Sequence, residues 1–328
     1  MSLLLITDQG ASVKKESRRI YVEKDDVELC EIQSRKINAV GIMGNAQIST
    51  QALALLADDE VPVTFLTMTG DVKGQFLPLG NKNLSLRYEQ YHMCSDEHAR
   101  LKLASYLVFQ KISSYIDFYR RIQKNEPVEG IKQIIETFEK SAARALTADS
   151  VEQLLSIEGA SAALHFNQYG RFFKNELRFY SRSKHPPLDE VNAMLSFGYA
   201  MLFKLINGIL VASGLDPYSG CLHRNKYNRS GLTCDVQEIF RVNYIDAMVL
   251  RLCNLGMIKS RHFESGECGI SFTKEGIGIF LKEWRDIAYA TINAKLVKEI
   301  QAETEKIIRA VKEYGASVCE DTCAVDCV

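Results

Sequence analysis

Apolar positions change their period once along this chain, and the change divides it in two. Through residue 78 they come as short runs with strand character, at residues 3–6, 20–22, 28–32, 40–43 and 61–66, separated by Gly, Asn and Asp. Ser49 or Thr50 caps one short helix running to Ala57, and Pro62 falls near a strand start, where its missing N–H is tolerated. Residues 70–78 supply a turn and a last strand. Polar residues 80–90 read as a linker, beyond which the apolar period becomes about 3.6. Helices are predicted over residues 91–121 and 128–148, with Pro127 between them. The capping box of Ser150 and Gln153 starts a third helix eight residues before Glu158. Pro186-Pro187 stops the chain before an apolar helix over residues 189–213. Helices resume near Asp235 and from Thr273, with a hairpin around Ser265-Gly266. The expectation is an α+β chain of two domains, β-rich over residues 1–85 and mainly α-helical over 86–328.

Composition narrows this picture only a little. A chain of 328 residues with 46% hydrophobic content buries a large core. Its formal net charge of -1 means that nucleic-acid binding would depend on local clusters of Lys and Arg. The start has a four-residue apolar run before Asp8 and no secretory signal pattern, so a cytoplasmic protein is expected. Residues 193–214 are the most apolar stretch, but Lys204 and Asn207 interrupt them, so a buried helix is expected and no membrane partner. Nine cysteines, an odd number, argue for reduced thiols. Cys319, Cys323 and Cys327 would align on one helical stripe, and read as a frayed terminus rather than a zinc site.

Three residues sit in unusual settings. Glu158 lies among Leu154, Leu155, Ile157, Ala162 and Ala163, where an unpaired carboxylate is costly. His223 follows the turn over residues 214–220, a loop setting common for functional groups. Asp235 and Glu238, three apart on one helix face, repel each other unless something positive lies beside them. Two carboxylates and an imidazole suit Mg²⁺ or Mn²⁺ better than structural zinc or oxygenase iron. The spacings of 65 and 15 residues match no general metal motif, however. Taken singly, Glu158 and Glu238 read equally as salt-bridged or solvated helix residues and His223 as an ordinary loop histidine.

A basic series, Arg171, Lys174, Arg178 and Arg182, spaced three, four and four, would share a helix face downstream of Glu158, extended by Lys184 and His185. It would run roughly 16 Å, enough to follow several phosphates of a DNA strand. Arg224, Lys226 and Arg229 add positive charge after His223. There is no P-loop, dinucleotide fingerprint or serine elbow, which removes support for nucleotide hydrolysis and esterase chemistry. Two rival readings remain at this level. One is a non-catalytic DNA-binding module built on a winged-helix-like segment at residues 244–284; the other is a small-molecule metalloenzyme with an apolar pocket.

Linked segments carry a more specific signal than any of these. They are Glu158-Gly159-Ala160; Lys184-His185-Pro186-Pro187-Leu188-Asp189 with residues 191–200; residues 214–217 with Gly220-Cys221-Leu222-His223; and Asp235-Val236-Gln237-Glu238-Ile239-Phe240-Arg241. In their order and spacing the chain resembles the CRISPR-associated integrase family, the Cas-one proteins, over essentially its whole length. The resemblance implies an N-terminal β-sandwich used for dimerisation and a helical catalytic domain with a Mg²⁺ or Mn²⁺ site. Glu158, His223 and Glu238 fall on the three metal ligands, with Asp235 on the nearby acidic position. It implies a DNA endonuclease and integrase that inserts spacer duplexes into the CRISPR repeat by 3′-hydroxyl transesterification. The implied partners are double-stranded DNA, a Cas-two protein and a second copy, with a dimer of dimers in the complex. Two features depart from the family pattern: His165, where many relatives carry an aromatic ring, and the Cys-rich tail.

Overall fold

The computed structural model describes residues 3–325 apart from residues 38, 68–70, 79–81, 126–127, 185, 224–229, 267–268 and 289–294. His185, Pro127, Arg224, Lys226, Arg229 and Cys327 lie outside the described residues, as do the side chains of Cys319 and Cys323.

The N-terminal part contains β1 (Leu3–Ile6), β2 (Ser12–Glu16), β3 (Arg19–Lys24), β4 (Val27–Gln33), β5 (Ala39–Met43), β6 (Gln47–Ile48), α1 (Thr50–Asp58), β7 (Val63–Leu66) and β8 (Val72–Phe76). One sheet runs β1-β5-β7-β8, parallel except for the last pair; the other runs β4-β3-β2-β6. The expected β-sandwich is present, with Ser49 accepting a hydrogen bond from Ala52 N to cap α1. Side-chain alternation makes the first sheet a wall between two cores. Leu4, Ile6, Val40, Ile42 and Val63 meet Val13, Ile20 and Val22 of the second sheet together with Leu55 and Leu56 of α1. Leu5, Met43 and Leu66 instead join the core of the helical part. Burial on both faces explains why these strands read as unbroken apolar runs. Strand β2 was not predicted, because of its five residues only Val13 is buried.

The helical part contains α2 (Lys82–Ser95), α3 (Glu97–Asn125), α4 (Ile131–Leu146), α5 (Val151–Tyr169), α6 (Glu190–Ala212), α7 (Gly231–Phe240), α8 (Ala247–Asn254), β9 (Phe263–Gly266), β10 (Gly269–Phe272), α9 (Lys274–Ala288) and α10 (Lys295–Val325). Most of the expected linker is therefore helix α2, which buries Leu86, Gln90, Met93 and Cys94 at helical spacing. The long helix expected from residue 91 is broken at Asp96, which accepts from Ala99 N at 2.9 Å and opens α3. Ser150 caps α5 as expected, accepting from Gln153 N at 3.2 Å. By length and composition α6 is able to cross a membrane, yet most of it is buried inside the protein. The hairpin expected near residue 265 forms between β9 and β10, and Phe272 packs on Phe197 of α6 with ring centroids 5.5 Å apart.

The basic series Arg171, Lys174, Arg178 and Arg182 does not share a helix face. Helix α5 ends at Tyr169, a short 3-10 turn follows, and from Phe173 the chain is irregular. The cause lies in close packing and in the apolar pattern. A Cβ on Gly170 would meet the Phe179 carbonyl oxygen at 2.2 Å, because the chain doubles back there. Leu177 and Phe179 are buried while Arg178 and Tyr180 are exposed, a period of two rather than 3.6. Asn175 Nδ2 ties this segment to the carbonyls of Cys253 and Asn254, both at 2.9 Å.

Because both faces of β1 are covered, Leu5→Ala and Ile6→Ala should each lose about 2–5 kcal/mol in urea unfolding. A Leu5→Ala protein as stable as wild type would show that the wall is covered on one side only.

Candidate active site

Helices α3, α5 and α7 bring together residues far apart in sequence around a buried ammonium. Lys111, from the apolar stripe of α3, has a side chain only 4% exposed. Its Nζ donates to Glu158 Oε1 on α5 and, at 2.6 Å, to Glu238 Oε2 on α7. Arg241 Nη1 donates to the other Glu238 oxygen, and its Nη2 reaches Gln237 Oε1 at 3.2 Å. Burial pushes the Glu238 carboxyl up, but the charges of Arg241 and Lys111 outweigh it and bring it down to about 2. Burial likewise opposes the charge on Lys111, and Glu238, Tyr115 and Glu158 together hold it above its ordinary value. The positive charge that the crowding of Asp235 and Glu238 demanded is therefore supplied by the protein itself.

His223 reaches the same centre on a loop that Asp235 organises. Asp235 is buried in α7 and its carboxylate accepts from the backbone N–H groups of Cys221 (2.8 Å), Leu222 (2.9 Å) and His223 (3.0 Å). Its Oδ1 also lies 2.7 Å from His223 Nδ1. That contact fixes the ring and turns Nε2 away from the carboxylate, the arrangement expected of a metal-binding histidine. Since Asp235 stands one turn before Glu238 on α7, the ring is held on the Glu238 side of the loop, and its field helps lower the Glu238 carboxyl. Gly220 and Gly231 permit the approach: a Cβ on Gly220 would meet Gly231 C at 2.5 Å, and one on Gly231 would meet the His223 carbonyl oxygen at 2.5 Å. From the other side Gln90 Nε2 donates to the carbonyls of Asp216 (2.9 Å) and Ser219 (3.1 Å), and Arg100 Nε to that of Cys221 (2.8 Å).

Lys111 thus joins Glu158 to Glu238, and Asp235 holds His223 one helical turn from Glu238. Among the described residues, however, no three His, Cys, Asp or Glu side chains enclose a common point at metal-binding distance, and the Lys111 ammonium lies between the two carboxylates.

A second polar cluster supports the first from below. The turn Arg241–Asp246 after α7 is π-helical and ends on buried Asp246. Asp246 accepts from Tyr199 OH at 2.6 Å, and its other oxygen lies 2.9 Å from His165 Nε2. The Tyr199 ring lies 4.7 Å from the Arg241 guanidinium. His165 fills an aromatic slot, with ring centroids 4.8 Å from Tyr115 and 5.3 Å from Tyr169, and adds polar contacts that a phenyl ring could not make. Sequence reasoning missed Lys111 and this cluster. Lys111 carried a readable signal, a charge in phase with the apolar positions Ala104, Leu107, Val108, Ile112 and Tyr115.

The basic residues divide by environment. Arg171 donates to Gln168 Oε1 and the Glu129 carbonyl, and Arg178 to the Phe173 carbonyl, so both brace the local chain. Lys174 is exposed beside Arg171. Arg182 instead shares the Tyr199 ring with Arg241, and Lys184 feels the charges of Arg241, Arg182 and Glu238.

The Glu238 contribution to stability follows from its lowered value. It is complete above the ordinary carboxyl value of 4.5 and is lost as pH falls toward about 2. In acid unfolding with a chelator present, Glu238→Gln should flatten this limb. An unchanged acid dependence would remove the ion pair from the account.

A profile of the family described as CRISPR associated protein Cas1 matches residues 4–286. The chain is similar to a "CRISPR-associated endonuclease Cas1 1" of Thermodesulfovibrio yellowstonii, 35% identical over 254 residues, covering 75% of this chain and 76% of the relative. It is also similar to a "CRISPR-associated exonuclease Cas4/endonuclease Cas1 fusion" of Geobacter sulfurreducens, 32% identical over 278 residues and 82% of this chain; the match spans 50% of that longer protein. Among solved structures, a "Partial Cas6-RT-Cas1--Cas2 complex" chain shares the fold with TM-score 0.80 at 20% identity, covering 95% of this chain and 96% of that one. A "Casposase bound to integration product" does so with TM-score 0.75 at 21% identity, covering 95% and 96%. With a sandwich and a helical part in place, the match across residues 4–286 makes this chain a member of the Cas1 family.

Proposed function

We propose that the chain is a divalent-metal-dependent DNA endonuclease and integrase of CRISPR adaptation, with Glu158, His223 and Glu238 as ligands of Mg²⁺ or Mn²⁺. The observation that carries this is the pair of carboxylates from α5 and α7, one half-buried and one buried, facing one positive charge, with an imidazole fixed by Asp235 one helical turn from Glu238. The donor set fits the group: two anionic oxygens and one neutral nitrogen suit a small dication, and the surroundings keep Glu238 ionised at all physiological pH. Bound there, the ion would withdraw charge from a phosphate and ease ionisation of a 3′-hydroxyl.

The chain's own groups do the positioning. Glu158 and Glu238 are carried by rigid helices, and Asp235 holds His223 in one tautomer and orientation. Arg182 and Lys184 place positive charge where a DNA strand would lie, so binding should weaken steeply with salt. The likeness to a chain of a Cas1–Cas2 complex and to a casposase bound to an integration product supports DNA, on this reading double-stranded, and a Cas2 protein as partners. Pairing of two copies through the β-sandwich and action in the cytoplasm complete the reading.

The test is joining of a short 3′-hydroxyl duplex to a repeat-bearing plasmid with Mn²⁺ and with chelator. Glu158→Ala, His223→Ala and Glu238→Ala should each abolish joining while gel filtration shows the same oligomer, none of the three residues belonging to the sandwich. Retained activity in any one removes that residue as a ligand. Asp235→Asn should weaken Mn²⁺ binding by about 10–100-fold, read by calorimetry; undiminished affinity would leave Asp235 a loop anchor alone.

A further inference from the structure

Arg241, which pairs with Glu238, and Arg182, which shares the Tyr199 ring with it, carry buried donors that meet no acceptor among the described residues. Nε of Arg182 and Nε of Arg241 are both buried without a hydrogen-bond partner among the described residues. Both guanidinium groups lie against one ring, that of Tyr199, at 5.4 Å and 4.7 Å from its centroid. Arg182 is held in place by Asn192 Oδ1 at 2.7 Å and Ser196 Oγ at 3.0 Å. Neither Arg182 nor Lys184 pairs with a carboxylate among the described residues. Burial, then Arg241, then Arg182 act against the charge on Lys184, with Lys111 adding to them and Glu238 only partly offsetting them. Asp246 and Asp189 also lie within range of Arg182, but Asp246 is occupied by Tyr199 and His165, and Asp189 by Asn192.

Like charges crowded at a partly buried site repel one another unless an anion joins them. An orphaned buried N–H points the same way, since such donors are rare where no ligand is due. With the terminal nitrogens of both arginines engaged, the Nε donors are left over, and a guanidinium donor carrying positive charge suits phosphate oxygens in particular.

We propose that Arg182 and Arg241, with Lys184 beside them, form an anion clamp that grips the non-bridging oxygens of the phosphodiester reacting at Glu158 and Glu238. This rests on the integrase reading for its substrate and adds catalytic residues to it. In the transfer the incoming 3′-oxygen bonds to phosphorus as the bond to the leaving oxygen breaks, and the proton given up by the first hydroxyl is matched by one taken up by the second. The non-bridging oxygens keep their negative charge throughout, so donors already aimed at them need not reorganise.

Arg241 also holds Glu238, so Arg182 and Lys184 are the positions to test. Arg182→Gln retains a polar group for Asn192, and Lys184→Ala removes only a partly exposed side chain. Full-length variants with wild-type melting temperature and Mn²⁺ affinity should bind inorganic phosphate about tenfold more weakly in calorimetry. In single-turnover joining, Arg182→Gln should be slower by about a hundredfold on the natural linkage. On a substrate with an uncharged methylphosphonate at the scissile position, that loss should nearly vanish, whereas a structural role would give the same loss on both. Equal losses on the two linkages, or unchanged phosphate affinity, would overturn the clamp. Joining at the wild-type rate by folded Arg182→Gln would overturn it with the integrase reading intact. Phosphate binding that depends on Arg182, in a protein that joins no DNA, would support the clamp and remove the integrase reading.

Discussion

The contact on which this structure turns is the buried ammonium of Lys111 between Glu158 and Glu238. Each carboxylate alone at these positions would face a desolvation cost of several kcal/mol, and together they would repel. The ammonium offsets both effects and, in doing so, fixes α5 and α7 against α3. Removal of one partner from such a set typically costs about 3–5 kcal/mol, because the others stay buried and unpaired. The same arrangement makes the site a place for positive charge before any ligand is considered. On the proposed reading, the structural ion-pair network and the metal site are one object.

The second constraint is backbone geometry after α7. A regular α-helix would carry residues 241–246 round at 3.6 per turn; the π-helical turn gives them a wider spacing, and that segment carries both Arg241 and Asp246. Arg241 faces Glu238, and Asp246 faces Tyr199 and His165. Tyr199 then joins the two, its hydroxyl on Asp246 and its ring against Arg241. His165 is intelligible in these terms. It keeps the aromatic packing of its slot and supplies a polar partner for a carboxylate that would otherwise lack one on that oxygen.

What was legible in the sequence follows from what each residue's neighbours contribute. Strands β1, β5 and β7 are apolar on both faces and could be read directly; β2 and β6 exist only because of the strands beside them. The Ser150 cap is a local interaction and was visible as such. Periodicity failed for residues 173–182, where three of the four basic residues at helical spacing met an irregular chain, since contacts to Gly170 and Asn254 override local preference. Glu158, His223 and Glu238 stood out through linked segments, while their spacing alone matched no pattern. Lys111 was overlooked because a single Lys in a long amphipathic helix is usually solvated, and only the phase of the stripe distinguished it.

The segment first read as a linker shows why polarity is a poor guide to function at such a place. Residues 80–90 are mostly polar, yet Gln90 is buried, and Arg87 Nε donates to the Gly214 carbonyl at 3.0 Å. Together with Tyr91 OH, 2.6 Å from Asp216 Oδ2, and Arg100 these side chains satisfy groups of the loop that carries His223. A loop at the surface of a core must find partners for its backbone groups, or else recruit water. Here α2 and α3 supply donors to the loop's carbonyls from one side and Asp235 takes three N–H groups from the other. The imidazole is thereby held on an irregular segment with the definition of a helix residue, and the polar character that suggested a passive connection is the means by which that is done.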